Sequence, residues 1–306
     1  MKKLFRLFFF SAILSAGLPA MADNFTNGVD HYRNSQYQRA FSEFQQGAQK
    51  DDPRCQYALG LMYAIGRHIQ RNDHDAYSWI RKAADQDLAA AQNYLGFLYA
   101  EGIGTEQSYE KAAQMYKKAA DQRYADAKYN LATLYLSGKG VKQNTKEAIR
   151  LLRLVASGGL PEAQYALGIM YASGNGVKQS DENAVHWYYE AAKQGFPMAQ
   201  NKLGVLLIQG RGAEKDEIKA ANWFRYAAKQ GYAPAQYNLG RLYETGTGVT
   251  MSKATAAGYY RMAANQGNEE AKHRLALMQP DQKGKAHPAS GKKGSAKSQE
   301  RSSVFR

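Results

Sequence analysis

The sequence is short of several things that usually decide an architecture. It has one cysteine, Cys55, so no intramolecular disulfide can form and stability has to come from packing. Proline is scarce at 7 residues in 306. The longest apolar run, Leu7 to Leu18, falls short of the roughly 20 residues a membrane-spanning helix needs. No H-x-x-x-H or C-x-x-C pair occurs, and His31, His68, His74, His186, His273 and His287 are scattered. No metal or cofactor is expected, and each histidine reads as a surface or turn residue.

What is present starts with a basic opening, Met1-Lys2-Lys3 and Arg6, then the apolar run, then Ala20-Met21-Ala22. This is the layout of a secretory signal with an A-x-A cleavage site, so residues 1–22 read as a signal peptide and the mature chain as starting at Asp23, in the periplasm or outside the cell. Apolar residues make up 44% of the chain, enough for a sizeable core and too many for a disordered protein. The net charge of +14 is unevenly placed: three charges leave with the signal, five belong to the segment after Gln279, and the body keeps only six. A body that mildly basic does not call for nucleic acid.

Written in rows of 36, the chain aligns Leu59-Gly60, Leu95-Gly96, Leu131-Ala132, Leu167-Gly168, Leu203-Gly204 and Leu239-Gly240, with Leu275-Ala276 closing the column. Gly66, Gly102, Gly138, Gly174, Gly210 and Gly246 form a second column, and Ala40, Ala76, Ala112, Ala148, Ala184, Ala220 and Ala256 a third. Such self-similarity marks a stacked repeat. Each row predicts two helices. Ala163, Leu167, Met170 and Tyr171 give helix A its apolar stripe, Pro161 suits its first turn, and Gly174 can take the left-handed cap that ends it. Asn72, Ser108, Asn144, Ser180, Asp216 and Ser252 are all preferred N-cap types for helix B, each worth about 1 kcal/mol over Ala. Ala184, Trp187, Tyr188, Ala191 and Ala192 then form the stripe of helix B, and the aromatic columns read as core.

These columns, in one row Ala163-Gln164-Tyr165-Ala166-Leu167-Gly168, Tyr171, Gly174, Gly176-Val177, Ala184, Trp187-Tyr188, Ala191-Ala192 and Gln194-Gly195, resemble the Sel-like repeat family, relatives of the tetratricopeptide solenoids. The resemblance implies an all-α, right-handed α/α superhelical solenoid. The expected plan is a shortened tetratricopeptide-like opening unit at 23–53, six repeats and a closing helix over 54–278, and a basic tail at 279–306. Row three departs from the pattern with Ala132 for Gly and Val155 for Ala, which reads as a bulkier joint. Some exported members of the family are disulfide-stapled; this chain has no cysteine pair.

Catalytic motifs are thin. S-x-x-K occurs at Ser108 to Lys111, inside the capping column, and at Ser290 to Lys293, in the tail; S-D-N, K-T-G and G-x-S-x-G are absent. An enzyme acting on β-lactams or peptidoglycan, as discussed for some relatives, is therefore the lesser expectation, and the carboxylates read as solvated helix surface. The informative residues are those that vary. Positions equivalent to 90, 94, 97 and 101 share one face of helix A and differ by row: Tyr94, Phe97 and Glu101; Asn130, Thr133 and Ser137; Ala166 and Ile169; Lys202 and Val205; Asn238 and Arg241. In solenoids of this kind helix A lines the concave side, so the resemblance implies a partner-binding surface there; unselected surface variation is the other reading. The resemblance thus implies a scaffold, expected to be monomeric, that holds a protein or peptide on its concave face. Because similar family members include immunity proteins, one form of it is an immunity protein that neutralises an envelope-attacking effector. The tail either contacts anionic envelope surfaces or simply aids solubility.

Overall fold

The computed structural model describes residues 23–278; the expected signal peptide and basic tail lie outside them. Among the described residues there are fifteen α-helices and no strand. An opening pair, α1 (Asn24–Arg33) and α2 (Tyr37–Gln49), is followed by six pairs of near-identical length. They are α3 (Pro53–Ile65) with α4 (Asp73–Asp85), α5 (Ala89–Glu101) with α6 (Tyr109–Asp121), and α7 (Ala125–Ser137) with α8 (Thr145–Ser157). Then come α9 (Pro161–Ser173) with α10 (Asp181–Lys193), α11 (Pro197–Gln209) with α12 (Glu217–Lys229), and α13 (Ala233–Thr245) with α14 (Lys253–Ala264). A lone α15 (Glu269–Met278) closes the stack. Each helix packs on the next in chain order, so every unit touches its neighbours and little else, as in a solenoid.

The caps explain the regular lengths. Asn72, Ser108, Asn144, Ser180, Asp216 and Ser252 each accept a backbone N–H from the first turn of a B helix, satisfying donors that would otherwise be left unpaired. Six A helices end on a left-handed glycine, for example Gly174 at φ 73°. The turn ending each B helix also needs positive φ. Gly159, Gly195, Gly231 and Gly267 supply it in units three to six, while Asp87 and Arg123 adopt it in units one and two.

The core is built from a small-large pairing. A Cβ added to Gly168 would lie 2.5 Å from the ring of Tyr188, and one on Gly96, Gly204 or Gly240 would meet Tyr116, Phe224 or Tyr260 at 2.7 to 2.8 Å. At the equivalent positions of unit three stand Ala132 and Leu152, both fully buried, so the added methyl goes with a smaller side chain. The expected extra bulk is offset at Ala132, while Val155, buried where Ala191 stands in the next unit, keeps its larger side chain.

A second device runs between units. Gln56, Gln92, Gln164, Gln200 and Gln236 are buried, and each receives a hydrogen bond from a glutamine thirty residues on: Gln86, Gln122, Gln194, Gln230 or Gln266, at 2.8 to 3.0 Å. Gln164 Nε2 donates back to the Ala156 carbonyl at 3.0 Å, and Gln194 Nε2 to the Gly159 carbonyl at 2.8 Å, which ties each unit to the one before. Unit three has neither member of the pair; Lys128 and Gly158 stand in those places. Losing both together leaves no buried amide without a partner.

The opening pair is joined to the first unit through Arg54, which donates to Asp23 Oδ2 and Asp52 Oδ2 at 2.6 Å and lies over the Phe25 ring. Asp23 also caps α1 through the Thr26 N–H at 2.7 Å, and chiefly this bond pulls its carboxyl down to about 2. Cys55 is buried in the cluster around Phe44 and Leu59, and burial pushes its thiol up to about 12.

Candidate partner-binding face

The A helices of neighbouring units lie side by side, as residues thirty-seven apart show. Tyr57 and Tyr94 meet edge to face with ring centroids 6.3 Å apart, and Asn130 and Asn238 donate to Asn93 Oδ1 and Asn201 Oδ1, both at 2.9 Å. The varied positions of successive A helices therefore form one continuous strip.

The expected contact residues are not all alike on this strip. Glu101, Thr133, Ile169, Lys202 and Arg241 are exposed, with Ile169 at 42% of its full accessibility, high for an isoleucine. Tyr94, Phe97 and Val205 are half-buried, and Tyr94 and Phe97 make a tilted ring pair at 5.6 Å. Asn130 and Asn238 serve as joints between units, and the Thr133 hydroxyl donates to the Asn130 carbonyl of its own helix at 2.7 Å. The strip thus has fixed aromatic elements at the α5 end and long cationic side chains at the α11 and α13 end.

Two residues of this strip carry more than the sequence suggested. Asp126 and Glu162 occupy the position equivalent to 90, each in the first turn of its helix and each half-buried. A carboxylate at a helix N-terminus is ordinarily favoured in its charged form. Here burial holds both above the usual carboxylate range; for Glu162 its own backbone N–H opposes the rise and the charge of Asp126 adds to it. Glu162 Oε2 is shut off from solvent with no hydrogen-bond partner. The signal available in the sequence was positional: two acids in the same column of consecutive rows.

The B helices and the turns leading into them have two features of their own. A groove of about 1020 Å³ lies between the starts of α8 and α10 and is lined by Lys146, Arg150, Arg153 and Lys178 among others. Two of its arginines are already engaged, Arg150 with both oxygens of Glu147 at 2.7 and 2.8 Å and Arg153 with the Tyr171 hydroxyl at 3.1 Å. Nearby, Tyr189, Trp223 and Tyr226 make a chain of edge-to-face rings at 6.1 and 5.7 Å.

The serine motif resolves into a cap. Ser108 Oγ accepts the Lys111 N–H at 3.2 Å, while the Lys111 ammonium lies 5.6 Å from the centre of the Tyr99 ring. The other match, at Ser290, lies outside the described residues. Among the described residues no cluster of histidine, cysteine and acidic side chains could hold a metal, and no helix is long and apolar enough to cross a membrane.

A stack of capped helix pairs that presents a varied strip on one side is a repeat scaffold of the kind that binds other proteins. The chain belongs to the Sel1 repeat family, whose model matches residues 53–88, 89–124, 125–160, 161–196, 197–232 and 233–268. Sel1 repeats are scaffolds for protein–protein interaction. Among solved structures, the chain is similar to c5321, a protective antigen of uropathogenic Escherichia coli strains with an SLR fold: 33% identity over 78% of this chain, TM-score 0.71. It spans only 51% of that protein's length. A Sel1 repeat protein from Oxalobacter formigenes is 30% identical over 79% of this chain and 97% of its own, also at TM-score 0.71. The immunity protein PA5088 from Pseudomonas aeruginosa aligns at 28% identity over 60% of this chain and 67% of its own, at TM-score 0.42. A search of curated proteins finds no match.

Proposed function

We propose that this chain is an exported, monomeric scaffold that holds a protein partner along the helix-A strip, which forms the concave side of the solenoid, and carries out no reaction itself. The observation that carries this reading is the strip: joints thirty-seven residues apart fix its backbone, while its exposed residues change from unit to unit. Rigid spacing with varied side chains is what recognition of an extended segment needs, since little ordering entropy is then lost on the scaffold side. Export rests on the signal-like opening, and the way Asp23 caps α1 suits a mature chain that begins there. The basic tail would add a salt-sensitive contact with anionic envelope surfaces.

The sharper form of the proposal is an immunity protein that binds and neutralises an effector attacking the envelope, a task that needs a binding face and no active site. Against the envelope-enzyme alternative, the serine motif within the described residues has its Ser108 hydroxyl in a helix cap. Three measurements test the proposal. Cell fractionation should find the chain outside the cytoplasm. A Phe97→Ala, Lys202→Glu, Arg241→Glu variant should lose a partner that the wild type retains from envelope extract, with an unchanged helical signal. A deletion strain should be inhibited by contact with its wild-type siblings. Retention of the partner by the variant overturns the face assignment, and measurable nitrocefin turnover overturns the absence of catalysis.

A further inference from the structure

The helix-A strip changes sign along its length. Units two to four present Glu101, Asp126 and Glu162, and units five and six present Lys202 and Arg241. Among the described residues none of these five forms an ion pair. The ion pairs of units two to five gather instead on the B helices and the turns leading into them, as between Arg211 and Asp181 at 2.9 Å and between Arg150 and Glu147 at 2.7 Å. No ion pair of units two to five lies on the helix-A strip, so its charges are left open to a partner.

The acidic end lacks something chemically specific. Glu162 Oε2 is shielded from water with no donor, a deficit that costs the folded state free energy. Tyr129 lies within electrostatic reach of Glu162, and Tyr124 and Tyr57 lie within reach of Asp126. A guanidinium or ammonium group on the accessible side of the two carboxylates would offset the negative charge of the pair. At the other end, exposed and unpaired Lys202 and Arg241 suit a carboxylate.

Resting on the reading that the helix-A strip holds a partner, we propose that the partner segment lies extended along it, with an arginine or lysine seated on Asp126 and Glu162 and an acidic residue over Lys202 and Arg241. Adjacent packed helices lie about 10 Å apart. The two ends, two units apart, are then separated by about 20 Å, which about six residues of extended chain cover at ~3.3 Å each.

The test uses the full exported chain and a series of short fluorescein-labelled peptides, each with one arginine and one glutamate at increasing separation in a neutral background. Fluorescence anisotropy should show binding that peaks near a separation of about six residues. Asp126→Asn with Glu162→Gln should weaken the best peptide at least about tenfold and remove its dependence on arginine, yet raise the melting temperature, because the buried charges are relieved. A merely structural role for these carboxylates would lower the melting temperature instead. Lys202→Glu with Arg241→Glu should transfer preference to a peptide with arginine at both positions. Binding that ignores separation, that survives the Asn/Gln pair, or that is missing for every peptide at concentrations on the order of millimolar overturns the assignment. Failure here with loss of the natural partner in the Phe97, Lys202 and Arg241 variant leaves the strip as the binding face; retention of that partner removes the face itself.

Discussion

Units three and four stand next to each other and solve the same packing problem with different residues. Unit four sets Gly168 against Tyr188 and joins Gln164 to Gln194; unit three has Ala132 and Leu152 at the first pair of positions and Lys128 and Gly158 where the glutamines would be. At these two places the changes in unit three come in pairs. The contacts are conserved in volume and in satisfied hydrogen bonds, while the residue types differ, so the pair is the unit of design in this fold.

The comparison can be broken most severely at the Gly168 contact. Gly168→Leu should cost about 3 kcal/mol, because even the first added carbon meets the Tyr188 ring. Gly168→Ala should cost about 1 to 2 kcal/mol, and adding Tyr188→Leu, which copies unit three, should recover part of that loss. Urea titration of the two single variants and the double variant gives the coupling; strict additivity would show that the contact is not a pair.

The glutamine ladder predicts a smaller effect. Gln194→Ala should cost about 1 to 2 kcal/mol, since it strips Gln164 Oε1 and the Gly159 carbonyl of a donor. Replacing Gln164 by Lys and Gln194 by Gly together should cost less than the sum of the two single changes, again by urea titration.

Units two and three differ in the turn after helix B, where Arg123 sits at φ 67° and Gly159 at φ 95° with nothing near it. Arg123→Gly should therefore stabilise the chain by about 0.5 to 1 kcal/mol, the left-handed strain of about 1 to 2 less the entropy glycine loses on folding. The Asp87 position gains less, because its Oδ1 accepts from Gln92 at 3.0 Å in that same conformation. A melting temperature unchanged by Arg123→Gly would show that the turn is not strained.

The pH response is the weakest effect and separates two kinds of acid. Asp126 and Glu162 have raised folded-state values, so the folded chain binds more protons than the unfolded one just above the ordinary carboxylate range. Stability should fall as pH rises through that window and level off beyond it, and Asp126→Asn with Glu162→Gln should flatten the fall. Asp23, pulled down to about 2, acts oppositely: its contribution is complete above the ordinary value of 3.8 and disappears as pH drops through about 2. Thermal melts across this range, with and without the double substitution, measure both.

Everything that repeats locally was legible in the sequence. The 36-residue period, the two helices per unit, the six N-caps and the left-handed glycines all follow from residues within one turn or one stripe, where backbone geometry leaves few choices. The strip on helix A could also be located, because helical spacing fixes which residues share a face. Three things came only from the stacked structure: the glutamine bonds at thirty residues, the asparagine joints at thirty-seven, and the burial of Asp126 and Glu162. A period says which residues are equivalent, but the offset between stacked units decides which of them touch. That offset is set by side-chain packing across the whole joint, and it is what turned two ordinary first-turn acids into half-buried, unpaired carboxylates.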